Sequence, residues 1–495
     1  MKSPSITPTP YILTLDIGSS SLRVLLFDAQ GGRVPGVEAR EPLHLRTSPA
    51  GASEADPDAL LDAIFRAIDA ALAQAGDRAR HIRGVAIDTF VSNLLGVDED
   101  GRVVFPLTTY ADTRAADEVA GLRADFDEAT LHNRTGCRFH PSYWPARLRW
   151  LHRTWPQRFA QVARWLTLGE YLELTLFGET AVSYSVASWS GLLDRRRLVW
   201  DAELLAGLPI QQQHLSPLTD VSRPRRGLKP AFARRWPALA HVPWFPAIGD
   251  GAGANIGSGC TTPARVALTV GTSSALRAVT PDDISRLPSS LWCYRVDGRR
   301  SLPGGALTEG GMVYAWMQKL LRLDANEEEA LAHMQPDAHG LTMLPFLAGE
   351  RSPGWRGDAR ATIHGLTLAT TPLELLRAGM EAVAYRLALT YRELRSLLPA
   401  DPDIIASGGA LVRSPVWGQI IADTLGRPVT LSRAAEASAR GAALLALEAL
   451  GALPDIADAP DLLGPTWQPD PERHAIHQAA MQRQMALYDK LYRKT

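Results

Sequence analysis

A lone carboxylate set among glycines marks where chemistry could happen in this chain. Asp250 stands in the stretch Pro246-Ala-Ile-Gly249-Asp250-Gly251-Ala-Gly253-Ala-Asn255, whose small residues let backbone or ligand come close to it. Taken alone, such an Asp-Gly reads as a tight turn in which the side chain bonds its own backbone. A repeat elsewhere adds weight. Ile17-Gly18-Ser19-Ser20-Ser21 and Val270-Gly271-Thr272-Ser273-Ser274 are the same device 253 positions apart, each joining two apolar strands. A hairpin with clustered N–H groups and hydroxyls is a phosphate cradle that needs no lysine. One such loop is a weak signal, because Gly-Ser turns are common. Two of them facing across a cleft would hold a polyphosphate from both sides.

Those loops require strands and a duplicated scaffold. Residues 11–15, 22–27 and 37–45 read as a three-stranded meander with Asp16 at its first hairpin. A helix over 57–75 follows the Asp56-Pro57 start, and a strand over 82–87 ends at Asp88. Residues 113–174 read as mainly helical, and 209–241, rich in Pro, Arg and Gln, as a connector rather than core. The pattern then restarts, with strands at 266–270 and 275–279 around the second loop and helices at 308–321 and 373–398. A strand at 403–406 meets Ser407-Gly408-Gly409-Ala410, and helices over 437–450 and 474–492 close the chain.

At 495 residues the chain exceeds one ordinary core, so two or more domains are expected. With 46% hydrophobic and 21% charged residues and a net charge of −1, it reads as a soluble globular protein without a nucleic-acid stripe. Cys137, Cys260 and Cys293 lie far apart and form neither a metal spacing nor a disulfide framework, so a reducing, cytoplasmic setting is expected. No apolar run is long enough to span a bilayer, and the first residues lack an apolar signal core. No lysine accompanies a glycine-rich loop, which argues against a P-loop. Gly249-x-Gly251-x-x-Ala254 fits a relaxed dinucleotide fingerprint. The acidic residue that fingerprint needs about twenty positions on is missing, which argues against a dehydrogenase.

In order along the chain, these motifs resemble the FGGY family of carbohydrate kinases, from residue 11 to about 450. Asp16-Ile-Gly-Ser-Ser-Ser resembles the family's first phosphate loop, Gly249-Asp250-Gly251 its catalytic-base motif and Gly271-Thr272-Ser273 its second phosphate loop. Ser407-Gly408-Gly409-Ala410 resembles its adenosine-side glycines. Gly365-Leu366 with Glu374-Leu375 and Ala378 to Glu381 follows its second signature, Gly379 replacing a slightly larger residue. The resemblance implies an α/β fold of two duplicated actin-like ATPase (ribonuclease H-like) domains around an interdomain cleft, divided as 1–245 and 246–495. It implies ATP and Mg²⁺ as cofactors and a small-molecule sugar or sugar acid as partner, with no membrane or nucleic-acid partner, and leaves a homodimer open.

On this resemblance Asp250 takes the proton of a primary hydroxyl, and Asp16, with Asp250 near it, holds Mg²⁺ through waters. Gly18, Ser19, Ser20, Ser21, Gly271, Thr272 and Ser273 cradle phosphates, and Arg23 either neutralises them or is a strand-surface arginine. Gly311, Gly408, Gly409 and Arg413 lie against the nucleotide. Within the family, Leu94-Leu-Gly-Val-Asp98, Tyr110-Ala-Asp-Thr-Arg-Ala115, Arg134-Thr-Gly-Cys137, residues 140–151 and residues 349–355 resemble gluconate kinases. Tyr110 departs from a usual Trp, and Phe90 from a usual polar sugar contact. The sugar-contact candidates are Asp88, Asp112, Arg114, His140, Tyr143 and Asp250, because Asp and Arg suit polyol hydroxyls and Arg or His a carboxylate. The plainer readings are a packed histidine for His140 and a solvated helix face for Arg114. Arg351 has the right chemistry too, but Glu350 beside it reads as its structural ion-pair mate. A pentulose or other polyol kinase is the alternative, and a non-catalytic actin-like nucleotide-binding scaffold the alternative of another class.

Overall fold

A computed structural model describes residues 10–281, 284–399 and 401–492. The opening meander consists of β1 (Tyr11–Ile17), β2 (Ser21–Phe27) and β3 (Arg33–Pro42), paired antiparallel in sequence. Helix α1 (Pro57–Ala75) begins where the Asp56 carboxylate accepts from the Asp58 N–H and proline fills the first turn. The chain returns as β4 (Ile82–Thr89), parallel to β1. Helix α2 (Trp144–Thr154) follows in the helical stretch. Much later β5 (Ile248–Gly249) joins parallel to β4, so the first sheet runs β5-β4-β1-β2-β3 and draws a strand from beyond residue 245. Helix α3 (Asp250–Gly257) leaves that strand toward the second half.

The second sheet repeats the first. Its strands are β6 (Arg265–Val270), β7 (Ser274–Ala278), β8 (Thr280–Pro281), β9 (Trp292–Arg295), β10 (Arg300–Leu307), β11 (Asp403–Ser407), β12 (Val429–Ser432) and β13 (Leu463–Trp467). They run β8-β10-β7-β6-β11-β12-β13, with β9 also on β10. β6 and β7 form the hairpin, β11 lies parallel to β6, and β12 parallel to β11. Strand for strand, β12-β11-β6-β7-β10 matches β5-β4-β1-β2-β3, so the duplication signalled by two short loops extends through both sheets. Helices α4 (Gly311–Leu320), α5 (Pro372–Arg395), α6 (Gly409–Arg413) and α7 (Ala437–Ala449) complete the parts that reach the site.

Each sheet has its own apolar core, and a third cluster joins them, built from Ala252 and Ile256 of α3, Ala439 to Leu447 of α7 and residues of both sheets. Helix α7 follows a strand of the second sheet yet packs on β1 and β4 of the first. Two expectations are corrected. The helical stretch 113–174 contains a strand, Arg164–Leu166, whose Trp165 is 1% exposed. The segment 209–241 is not a free connector: Trp236 and Leu239 are buried in the first core, where Trp236 meets Phe65 and Phe232. Composition hid this because a few large apolar side chains anchor an otherwise polar path. No helix among the described residues is long and apolar enough to cross a membrane.

Candidate active site

Three parallel strands end side by side, and each delivers a carboxylate. The register of β1 on β4 sets Asp16 opposite Asp88. The register of β5 on β4 sets Gly249 opposite Thr89, so the next residue, Asp250, opens α3 beside them. Ligands of open α/β sheets bind outside these C-terminal strand ends. Asp88 is fully buried, and neither of its oxygens receives a hydrogen bond. Burial, then the Asp16 charge, holds Asp88 well above the usual carboxylate range. Burial also raises Asp16 despite Arg23 at 3.4 Å. Asp250 is the half-buried member, pushed up to about 6 by burial against the opposing pull of Arg277. The three acids oppose one another's ionisation, and carboxylate oxygens are the donors that a hard divalent ion such as Mg²⁺ prefers. Asp88, expected on the sugar, thus stands with Asp16.

The second sheet lacks this charge. By the 253-residue repeat, Thr269 stands where Asp16 stands, and the register gives it Ser407 in the place of Asp88. Their hydroxyls lie 3.2 Å apart.

The loops are hairpin tips. Gly18 N–H donates to the Ser21 carbonyl at 3.1 Å; Ser20 is exposed, Ser19 half-buried and Ser21 buried. Thr272 and Ser273 are exposed in the second loop, whose backbone is pinned from behind. Gly311 N–H donates to the Gly271 carbonyl at 2.7 Å and Met312 N–H to the Thr272 carbonyl at 3.0 Å. Gly408, at φ +108°, lies so close to the Val270 carbonyl that a Cβ would overlap it. Gly409 packs near the exposed Arg413. The expected nucleotide-side residues are thus brought together around the second loop. Arg23 is not a bare surface arginine, because it pairs with Glu436, the residue preceding α7, as well as Asp16.

The acceptor candidates divide. Asp112 accepts from Ser53 N–H at 3.2 Å and from Arg114 Nε at 3.0 Å, while Arg114 also pairs with Glu54 and lies 4.5 Å over the Trp150 ring. The two form an ion-paired unit with Glu54, not a solvated helix face. Tyr143 is 4% exposed and bonds hydroxyl to hydroxyl with Tyr294 of β9, tying the two halves together. His140 accepts at Nδ1 from the Ser142 N–H at 3.2 Å, which leaves Nε2 as the protonated nitrogen of the neutral ring. Glu350 does not pair with Arg351: it binds Arg386, the Tyr488 hydroxyl at 2.6 Å and the Gly354 N–H at 3.2 Å.

Two residues at the site escaped the sequence reading. Trp189 lies over the Gly249-Asp250-Gly251 turn, where a Cβ on Gly249 would come within 2.9 Å of its Nε1 and one on Gly251 within 3.4 Å of its ring. It stacks on Tyr294 with ring centres 3.5 Å apart. Arg277 of β7 comes within 3.5 Å of the same Gly251 position. A charged residue inside the apolar run Ala275-Leu-Arg277-Ala-Val279 was the available signal.

Known proteins resemble the chain along nearly its whole length. The model of the FGGY family of carbohydrate kinases, N-terminal domain, matches residues 11–257, and that of its C-terminal domain residues 266–450. A gluconokinase of Bacillus subtilis (strain 168) is 25% identical over 94% of this chain and 92% of its own length. A xylulose kinase of Escherichia coli (strain K12) is 28% identical over 96% of this chain and 98% of its own. The crystal structure of gluconate kinase from Lactobacillus acidophilus superposes with a TM-score of 0.87 at 26% identity, covering 98% of both chains. With both halves of the family matched in order and its two-domain fold reproduced, this chain belongs to the FGGY family of carbohydrate kinases.

Proposed function

We propose that the chain transfers the γ-phosphoryl group of ATP to the primary hydroxyl of D-gluconate, giving 6-phosphogluconate, with Asp250 as general base. The observation that carries this reading is the placement of Asp250: the half-buried member of three converging carboxylates, held between Trp189 and Arg277 where the two halves meet. Ionised Asp250 accepts the hydroxyl proton. The acceptor oxygen bonds to the γ-phosphorus as the bond from that phosphorus to the β–γ bridging oxygen breaks and ADP leaves. A positioned base contributes about 100- to 10,000-fold. The rest of the task is positioning and charge neutralisation. Backbone N–H groups and hydroxyls at 18–21 and 271–273 suit the phosphates, and Gly311, Gly408, Gly409 and Arg413 suit the nucleoside side. Asp16 and Asp88 are the residues that would hold Mg²⁺, which neutralises phosphate charge when bound. Closing the cleft would exclude water and limit idle ATP hydrolysis.

The test is coupled ADP release with ATP and Mg²⁺ on D-gluconate, D-xylulose, L-ribulose, glycerol and a sugar-free blank. Turnover is expected with gluconate, and Asp250→Asn is expected to keep ATP binding while losing about 100- to 10,000-fold in rate. Turnover confined to a ketose or glycerol would sink the gluconate assignment and keep the kinase. ATP binding with no turnover on any acceptor would favour a scaffold.

A further inference from the structure

Two guanidinium groups of the second half, Arg277 beside the Asp250 turn and Arg351, make no ion pair among the described residues. Among the described residues, neither Arg277 nor Arg351 makes a hydrogen bond or ion pair through its side chain, and Arg277 Nε is buried without an acceptor. Glu350, the sequence neighbour that would have neutralised Arg351, is committed to Arg386. Ser352, next to Arg351, donates its N–H to the Ala306 carbonyl at 3.0 Å, and Ala306 lies opposite Ala275, two residues before Arg277 in β7. Arg277 accordingly feels the charges of both Asp250 and Arg351. The turn that opens at Arg351, whose carbonyl accepts from Trp355 N–H at 2.6 Å, sets the Trp355 ring 6.0 Å from the His140 ring. The Arg351 charge acts on His140, Tyr143, Tyr294 and Glu309. Burial pushes Glu309 up to about 8, so its neutral carboxyl leaves the positive charge uncompensated. These groups gather at the junction of the two halves, with Arg277 beside the Asp250 turn and the turn that Arg351 opens beside His140, whose neutral ring carries its proton on Nε2.

Leaving like charges adjacent, partly desolvated and unpaired is costly, and an anion between them removes the cost. Planar guanidinium groups match a carboxylate with paired N–H donors. We infer that Arg351, together with Arg277 and the Nε2–H of His140, binds the carboxylate of the acceptor, so that the chain selects a sugar acid over the neutral polyol of the same length. This rests on the sugar-acid reading above and replaces Arg114 as the carboxylate partner. The base and the receptor together would set the acceptor with its far hydroxyl on Asp250.

The informative pair of acceptors is D-gluconate and D-glucitol, which differ only in carboxylate against hydroxymethyl. For the wild type, gluconate turnover and a gluconate-induced rise in melting temperature are expected, with D-glucitol far weaker in both. Arg351→Gln and Arg277→Gln should each raise the gluconate KM about 10- to 100-fold, the range of one charge-assisted hydrogen bond, with a smaller change in kcat. Both should shrink the gluconate-to-glucitol preference, while the KM for ATP moves little. Arg351→Lys should recover part of the loss by restoring charge without the fork. A wild type that phosphorylates gluconate, with Arg351→Gln and Arg277→Gln keeping its KM and preference, overturns the receptor and leaves the gluconate reading standing. A rise in the ATP KM instead assigns the arginines to phosphate and equally overturns it. A wild type that ignores gluconate but loses another sugar acid on Arg351→Gln upholds the receptor and discards gluconate. A wild type active only on neutral acceptors discards both.

Discussion

Asp250 can serve as a base because its surroundings separate it from its two neighbours. Asp88 is sealed from solvent, and burial holds it well above the usual carboxylate range, while Asp16 lies 3.4 Å from Arg23, which Glu436 also holds. Asp250 alone combines partial exposure with a pKa of about 6, so it is mostly ionised at neutral pH. A base must be unprotonated to act. kcat/KM for the acceptor should therefore rise with pH through about 6 and level off above it, an acid limb absent from the residual activity of Asp250→Asn. A limb of the same position in that variant would assign the titration elsewhere. Asp16 and Asp250 were legible in the sequence because glycines and hydroxyls surround them. The place of Asp88 was not, since it depends on strand register. Arg351 was misread for a related reason. A turn opens at Arg351, and Glu350 beside it in sequence is taken up by Arg386 and the Tyr488 hydroxyl.

At the level of elements, the Gly271-Thr272-Ser273 loop owes its shape to glycines that belong to other elements. The α4 start pins its carbonyls, and Gly408 before α6 fits under Val270 only because it has no Cβ and adopts φ +108°. Gly408→Ala would meet both strain and overlap, at roughly 1–3 kcal/mol. Its expected outcome is a lower melting temperature and a more than about tenfold weaker Kd for a non-hydrolysable ATP analogue, by calorimetry, for a shift beyond 1.4 kcal/mol. Wild-type nucleotide affinity would show that the loop keeps its form without that support. The hairpins, α1 and α5 could be read from the sequence because period and caps coincide there: Asp56 caps α1, and Thr371 with Glu374 forms a capping box on α5. The strand Arg164–Leu166 was not legible, because three residues carry no period and take their form from pairing with Leu94–Val97.

Across the whole molecule, the two halves meet through a pair of helices, one from each. Helix α3 carries the chain from the first sheet to the second, and α7, reached from the second sheet, packs back on the first. The glycines after Asp250, which suggested close approach of a ligand, serve this crossing. A Cβ on Gly253 would lie 2.7 Å from the Ser438 carbonyl oxygen, one on Gly257 would overlap Ala437, and one on Gly441 would overlap Gly253. Arg440, 3% exposed, fastens the same crossing by donating to the carbonyls of Gly31, Gly257 and Pro460 at 3.1, 2.6 and 2.6 Å. The helix that begins at Asp250 is therefore seated by its contact with α7, and any closing of the cleft has to be accommodated where they cross. Gly441→Ala should force the helices apart and cost roughly 1–3 kcal/mol in urea unfolding, with kcat for the acceptor falling as Asp250 shifts. Gly121→Ala is the control, since a Cβ there meets only Arg149 Nη1 at 3.7 Å within helix Glu118–Asp125 and should be neutral or slightly stabilising. If Gly441→Ala unfolds like the wild type and keeps its kcat, the crossing does not hold the base in place, and the position of Asp250 must be set by β5 and Trp189 alone.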